Sequence, residues 1–162
     1  MKYMEIFQQL NKKDVKYLVV GGLAVNFHGY SRFTADIDVI IELEDKNIKK
    51  IISMLLSFGF KSKLPVNPED FANSEIRKDW INNKNMKAFN FYKENDIISE
   101  FDIVITEDTD FTKKYLRKIE YEIDGVKIPV ISIDDLIEMK LIANRSIDKI
   151  DIEKLKLLKE IN

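Results

Sequence analysis

The pattern that most constrains this chain is a pair of acids set into an apolar strand. In Asp36-Ile37-Asp38-Val39-Ile40-Ile41 acid and aliphatic residues alternate, then the run becomes wholly aliphatic. Residues i and i+2 of a strand share a face, with Cα atoms about 6.5–7 Å apart. Asp36 and Asp38 therefore project together, while Ile37 and Val39 project to the other side. An edge strand would solvate the acids, but the aliphatic flank predicts an interior one. There two neighbouring carboxylates repel and lose hydration, so they need hydrogen bonds, protonation or cations. Just upstream, Val15 to Val20 is a continuous apolar run rich in β-branched residues, as in a strand buried on both faces. Gly21-Gly22 ends it, and Leu23 to Phe27 predicts a short helix closed by His28-Gly29. Without Cβ atoms a glycine pair lets backbone approach an anion closely, and the N–H groups that open the next helix face it.

A hard divalent ion such as Mg²⁺ resolves the conflict between two such acids, since it takes carboxylate oxygens and keeps positions open for substrate phosphates. With a third carboxylate, two ions about 3.5–4 Å apart can be held, one activating an attacking hydroxyl and one steadying a leaving pyrophosphate. Asp102 is the candidate, because Phe101-Asp102-Ile103-Val104-Ile105 is otherwise apolar enough to be a central strand. Glu100 shares its face, nearer the strand end. The candidate metal ligands are thus Asp36, Asp38 and Asp102, with Gly21 and Gly22 for phosphate. Arg32 either contacts phosphate or fixes Asp36. His28 is the only histidine, which excludes histidine-built metal clusters, and it reads as a cap or core residue.

The rest of the chain predicts a mixed sheet with flanking helices, an α/β (α+β) protein. Tyr3 to Asn11 is a short amphipathic helix. Asp45 is an N-cap for a helix over 46–57, with Ile48, Ile51, Ile52, Leu55 and Leu56 as its stripe. Residues 69–81 read as one polar helix without a clear apolar face. Met86 to Tyr92 and Ile97 to Ile105 are strands, Phe111 to Lys118 a short helix, and Asp124-Gly125 a type I′ hairpin turn between Ile119–Ile123 and Val126–Ile131. Ser132 and Asp135 cap a helix over 133–143, and a last helix starts near Asp148. In the former, Lys140 shares a face with Ile133, Leu136, Ile137 and Leu141. A lysine there either snorkels or answers a buried anion. Asp151 shares a face with Leu155 and Leu158, so Lys140 either pairs with Asp151 or reaches nucleotide phosphates. Arg145 and Asp148 read as helix-junction residues.

The 162 residues fit one domain, with a core over about 15–131 and C-terminal helices over about 133–161. The net charge of −2 gives no global positive field for nucleic acid, although Lys61-Ser62-Lys63 and Arg77-Lys78 are local basic patches. The absence of cysteine excludes disulfides, thiolate metal sites and thiol catalysis, and fits a reducing cytoplasm. No apolar run approaches the ~20 residues of a membrane span, and the N-terminus shows no secretory apolar segment.

Strand, Gly21-Gly22, thirteen residues, Asp36-Ile37-Asp38-Val39, and a distant Phe101-Asp102-Ile103-Val104 together resemble the nucleotidyltransferase superfamily with the DNA-polymerase-β-like fold. Arg32 and Thr34 before the acids look most like its small bacterial members, the abortive-infection toxin-type and minimal nucleotidyltransferases. The segment from Asp135 to Leu155, with Lys140, Arg145, Asp148 and Asp151, is similar to the ending of that group. Gly22 departs from the many members that carry serine there, so a hydroxyl contact to phosphate is lacking. The resemblance implies an NTP, such as ATP, as co-substrate and Mg²⁺ as cofactor, Asp36, Asp38 and Asp102 as catalytic metal ligands, and a toxin–antitoxin or phage-defence setting with a partner protein. It leaves the acceptor open among RNA, protein and small molecule. The alternative expectation is a non-catalytic nucleotide- or partner-binding module of the same fold.

Overall fold

The aliphatic run before the glycine pair forms an interior strand, as its composition predicts: Tyr17, Leu18, Val19 and Val20 are all buried. A computed structural model describes residues 2–105 and 111–162, apart from the Lys2 side chain. The described elements are α1 (Lys2–Lys12), β1 (Tyr17–Val20), α2 (Gly21–His28), β2 (Asp36–Ile41), α3 (Asp45–Ser57), β3 (Lys61–Ser62), a 3₁₀ turn (Pro68–Ala72), α4 (Ser74–Asn82), β4 (Ala88–Tyr92), β5 (Glu100–Val104), α5 (Phe111–Leu116), β6 (Ile119–Ile123), β7 (Val126–Val130), α6 (Ile133–Ala143) and α7 (Ser146–Ile161).

The strands form one mixed sheet in the order β3-β4-β5-β2-β1-β7-β6. β2 runs antiparallel to β1 and parallel to β5, and β1 runs parallel to β7. Both acid-bearing strands are therefore interior. Their aliphatic faces, Ile37 and Val39 on β2 and Phe101 and Ile103 on β5, are fully buried, in one core with Ile48, Ile51, Ile52 and Leu55 of α3. On the acid side, α2 packs on β1 and β2, and α6 and α7 pack on each other and on α2. The β6–β7 turn has Asp124 at φ 50° and Gly125 at φ 77°, the positive pair that a type I′ turn requires. Ser132 caps α6 by accepting from the Asp135 N–H.

Several elements differ from expectation. Residues 69–81 are two elements, because two asparagines each start one. Asn67 accepts from the Glu69 N–H to open the 3₁₀ turn, and Asn73 accepts from the Glu75 and Ile76 N–H groups to open α4. Their buried side is aromatic: Phe71 packs against Trp80 and Phe89. Asp45 does not cap α3. It is the first helical residue, Glu44 occupies the cap position without a side-chain bond, and the Asp45 carboxylate instead lies 3.2 Å from Arg77. β3, two residues long at the sheet edge, carries no periodic signal at all.

Candidate functional site: a carboxylate cluster against a glycine turn

Gly21 turns the chain from β1 into α2 at φ +64°, a left-handed conformation that glycine adopts without penalty. A Cβ at Gly21 would overlap the Asp38 carboxylate and lie 2.9 Å from its Cγ. At Gly22 a Cβ would come 2.6 Å from Arg32 Nη2 and 3.2 Å from Thr34 Oγ1. The first glycine is thus required by its backbone angle and sits tightly against Asp38, whereas the atoms nearest Gly22 are the ends of the Arg32 and Thr34 side chains, which can shift. No side chain caps α2, so its first-turn N–H groups remain available to an anion. Gly21→Ala combines strained φ with displacement of Asp38. We expect a loss of about 1–3 kcal/mol in stability, seen as a fall of roughly 2–12 °C in melting temperature. Unchanged melting would rule out both reasons for the glycine.

The acids meet through strand register. Asp36 stands opposite Glu100, Asp38 opposite Asp102, and Asn90 of β4 opposite Asp102 from the other side. Burial pushes the Asp38 carboxyl up to about 7, with the charges of Asp102 and Asp36 adding to the shift against the pull of Arg145 and Lys140. Burial also raises Asp102, aided by Glu100 and opposed by the hydrogen bond it accepts from Asn90 at 2.8 Å. Asp36 is raised by burial and then by Glu100. Lys63 answers Glu100 at 2.7 Å, so Glu100 has a partner of its own. The sequence does not single out Asn90, and it offers Lys63 only as part of a local basic patch. Asn90 did carry a signal, as the one amide between Phe89 and Phe91.

Three oxygen donors with raised pKa and too few counter-charges suit a hard divalent cation. Among the described residues no three acidic or imidazole side chains already converge as a metal cluster. Neighbouring strands lie only about 4.8 Å apart and Asp36 and Asp38 about 6.5–7 Å. Strand register sets these acids side by side, and as hard oxygen donors they fit Mg²⁺ in kind.

Beside the acids runs a chain of ions whose middle members are buried. Arg32 Nε lies 3.1 Å from Asp151 Oδ1, Asp151 Oδ2 accepts from Lys140 Nζ at 2.9 Å, and Lys140 Nζ lies 3.4 Å from Asp148. Arg145 closes it with two bonds to Asp148, at 2.8 and 3.1 Å. Asp148 and Asp151 are fully buried and Lys140 is nearly so. The Arg32–Asp151 contact lacks hydrogen-bond alignment, so it is a charge contact alone. Arg32 is thus paired with Asp151, and the expectation that it fixes Asp36 is corrected: Asp151 is the buried anion it meets. For Lys140, the pairing with Asp151 is the arrangement present. Leu141, expected on the buried face with Lys140, is exposed. Arg145 and Asp148 do form a helix junction, since Asp148 accepts from the Arg145 N–H and starts α7 two residues early. His28 is buried. Its Nε2 donates to the Ile131 carbonyl at 2.7 Å and its Nδ1 accepts from the Tyr121 hydroxyl at 2.9 Å. It ties α2 to the β6–β7 hairpin.

A cavity of about 720 Å³ opens on the acid side, lined by Gly21, Asp38 and Asp102 at one end and by Lys140, Arg145 and Asp148 along one wall. Its volume falls in the range of small-molecule sites, about 300–1,000 Å³. Among the described residues no helix is long and apolar enough to cross a membrane.

Comparison with known structures finds the same fold. The lincomycin-bound lincosamide antibiotic adenylyltransferase LnuA is 18% identical over 96% of this chain and 95% of its own, with a TM-score of 0.62. A "putative nucleotidyltransferase" from Thermotoga maritima is 19% identical over 96% of this chain and 87% of its own, TM-score 0.57. ANT(2″)-Ia in complex with adenylyl-2″-tobramycin is 11% identical over 99% and 97%, TM-score 0.57. At these identities the likeness is one of fold. A comparison with curated protein sequences gives no match. A family model described as "Nucleotidyltransferase of unknown function (DUF6036)" matches residues 1–162, so the chain belongs to that nucleotidyltransferase family.

Proposed function

We propose that the protein transfers a nucleoside monophosphate from an NTP to an acceptor hydroxyl and releases pyrophosphate. The observation that carries this reading is the register of Asp36, Asp38 and Asp102 on two interior parallel strands, beside a glycine turn shaped around Asp38. In this reading the α2 N-terminus at Gly21 and Gly22 receives the triphosphate, with Arg32 over Gly22 and Lys140 at the cavity wall adding positive charge. The acceptor oxygen forms a bond to the α-phosphorus as the bond from that phosphorus to the pyrophosphate oxygen breaks. Asp102, with one oxygen engaged by Asn90 and its basicity raised by burial, takes the hydroxyl proton. Asp36, Asp38 and Asp102 would hold Mg²⁺, which supplies Lewis-acid stabilisation of the developing phosphoryl charge. The acceptors named for LnuA and ANT(2″)-Ia, lincomycin and tobramycin, support a hydroxyl of a small molecule here too.

The test is transfer of α-³²P label from each of the four NTPs, with Mg²⁺, into a cell extract and into a panel of small alcohols. Label is expected in a product with wild-type protein and absent with Asp36→Ala/Asp38→Ala. Tight NTP binding by calorimetry without any label transfer would instead favour the non-catalytic binding module.

A further inference from the structure

The cavity is larger than its polar end. Two residues beyond Asp102 on the same strand face stands Val104, with Ala88 opposite it in register. These two and Ile105 are apolar residues lining the cavity, and Leu136, Met139 and Ala143 of α6 line it as well. This chamber lies on the Asp102 side of the acids, away from the glycine turn. It thus adjoins Asp102, the carboxylate to which the proposed reaction assigns the proton of the incoming hydroxyl. Lys87, Lys114 and Glu138 also line the cavity, so beyond Asp38, Asp102 and Asp148 its walls offer one acid and two more bases. A polycation gains little from such walls, and a trinucleotide end would lay charged phosphates along an apolar surface.

We propose that this chamber is the acceptor subsite, and that it takes a small neutral alcohol carried on an apolar body. The assignment rests on the nucleotidyl-transfer reading. An apolar body displaces water from the Val104–Met139 walls and brings its hydroxyl to Asp102, while the triphosphate stays at Gly21 and Gly22. The two ligands then occupy the cavity together.

Methyl NMR of protein carrying ¹³C-methyl methionine and ¹⁵N backbone separates the two ends, with the Met139 signal assigned by Met139→Leu. The probes are 2-(2-naphthyl)ethanol, tobramycin, the trinucleotide CpCpA, and the Mg²⁺ complex of α,β-methylene-ATP. The naphthyl alcohol is expected to shift the Met139 methyl saturably with a dissociation constant of about 1 mM or tighter. Tobramycin and CpCpA should leave that methyl in place. The nucleotide should shift the Gly21 and Gly22 amides whether or not the alcohol is bound. Ala143→Trp, which fills the chamber from an exposed helix end, should weaken the alcohol at least tenfold and leave the nucleotide shifts intact. A Met139 methyl unmoved by the alcohol, or moved by tobramycin or CpCpA instead, overturns the subsite. So does mutual exclusion of alcohol and nucleotide, which would give the chamber to the base. Absence of nucleotide shifts at Gly21 and Gly22, whatever Met139 does, removes the transfer reading and the acceptor role with it.

Discussion

Asp38→Asn is expected to lower the rate of nucleotidyl transfer by at least ~10³-fold and, in metal-free protein at pH 8, to raise the melting temperature by roughly 5–15 °C. The two effects share one cause. Asp38 is the acid flanked by both others, by Asp36 on its own strand and by Asp102 across the register, and its carboxyl is pushed up to about 7 by burial and by those two charges. A folded-state value above the unfolded one means that the folded protein prefers the protonated acid. The stability gained from that proton is complete below about pH 4, declines as pH rises, and is gone above about pH 7. At pH 8 the folded protein therefore carries an unfavourable buried charge worth about 2–4 kcal/mol. An isosteric amide removes it, and each kcal/mol shifts melting by about 2–4 °C at this size. At pH 4 the same substitution should change little. In wild type, Mg²⁺ at a hundred times its dissociation constant should add about 2.7 kcal/mol, and Asp38→Asn should abolish that gain. Scanning calorimetry at pH 4 and pH 8, with EDTA and with Mg²⁺, reads all of this. A variant that melts at or below wild type at pH 8 would show that Asp38 is not held against its own charge. A loss of activity on that scale, several kcal/mol of transition-state stabilisation, is what separates a strained functional acid from a merely awkward one.

The period-2 pattern made Asp36 and Asp38 legible, because side-chain alternation on a strand is fixed by backbone geometry and needs no knowledge of the fold. The Asp124-Gly125 turn and the Ser132 cap were readable for the same reason, since each is a local rule about φ or one hydrogen bond. Asp102 draws notice because a charge in an apolar strand stands out. That it lies opposite Asp38 was not readable, since register between β2 and β5 depends on everything that folds between them. Arg32 shows the limit most plainly. Its place just before the acids suggests either a phosphate or Asp36 as its partner, while the guanidinium reaches Asp151 on α7, a partner far along the chain that no local spacing specifies. The break at Asn73 was a different failure. The capping chemistry was present in the sequence, but the polar residues on both sides gave no periodicity to contrast with it.

The ion chain gives the second large effect, and it decides what sequence left open about Lys140. Asp151→Ala leaves Lys140 with Asp148 alone at 3.4 Å and leaves the buried Arg32 Nε without its counter-charge. Breaking a buried pair in this way costs about 3–5 kcal/mol, a fall of roughly 6–20 °C in melting temperature. Replacing both members of the central pair, as Lys140→Met/Asp151→Leu, removes the unpaired charge rather than creating one. A buried pair replaced by apolar residues of similar size is often no less stable, so the double variant should recover most of the lost melting temperature. Activity is where the two readings part. If Lys140 serves only to neutralise Asp151, the double variant regains activity along with stability. If Asp151 is a positioning residue that holds Lys140 and Arg32 where the triphosphate binds, the stable double variant stays slow, with KM for the NTP raised at least tenfold and a weaker salt dependence of nucleotide binding. The second outcome is the expected one, because Lys140 lines the same cavity as Asp38 and Asp102 and Arg32 stands within 2.6 Å of where a Gly22 Cβ would be. Full recovery of both stability and KM would reduce the chain of ions to a structural tie between α2, α6 and α7.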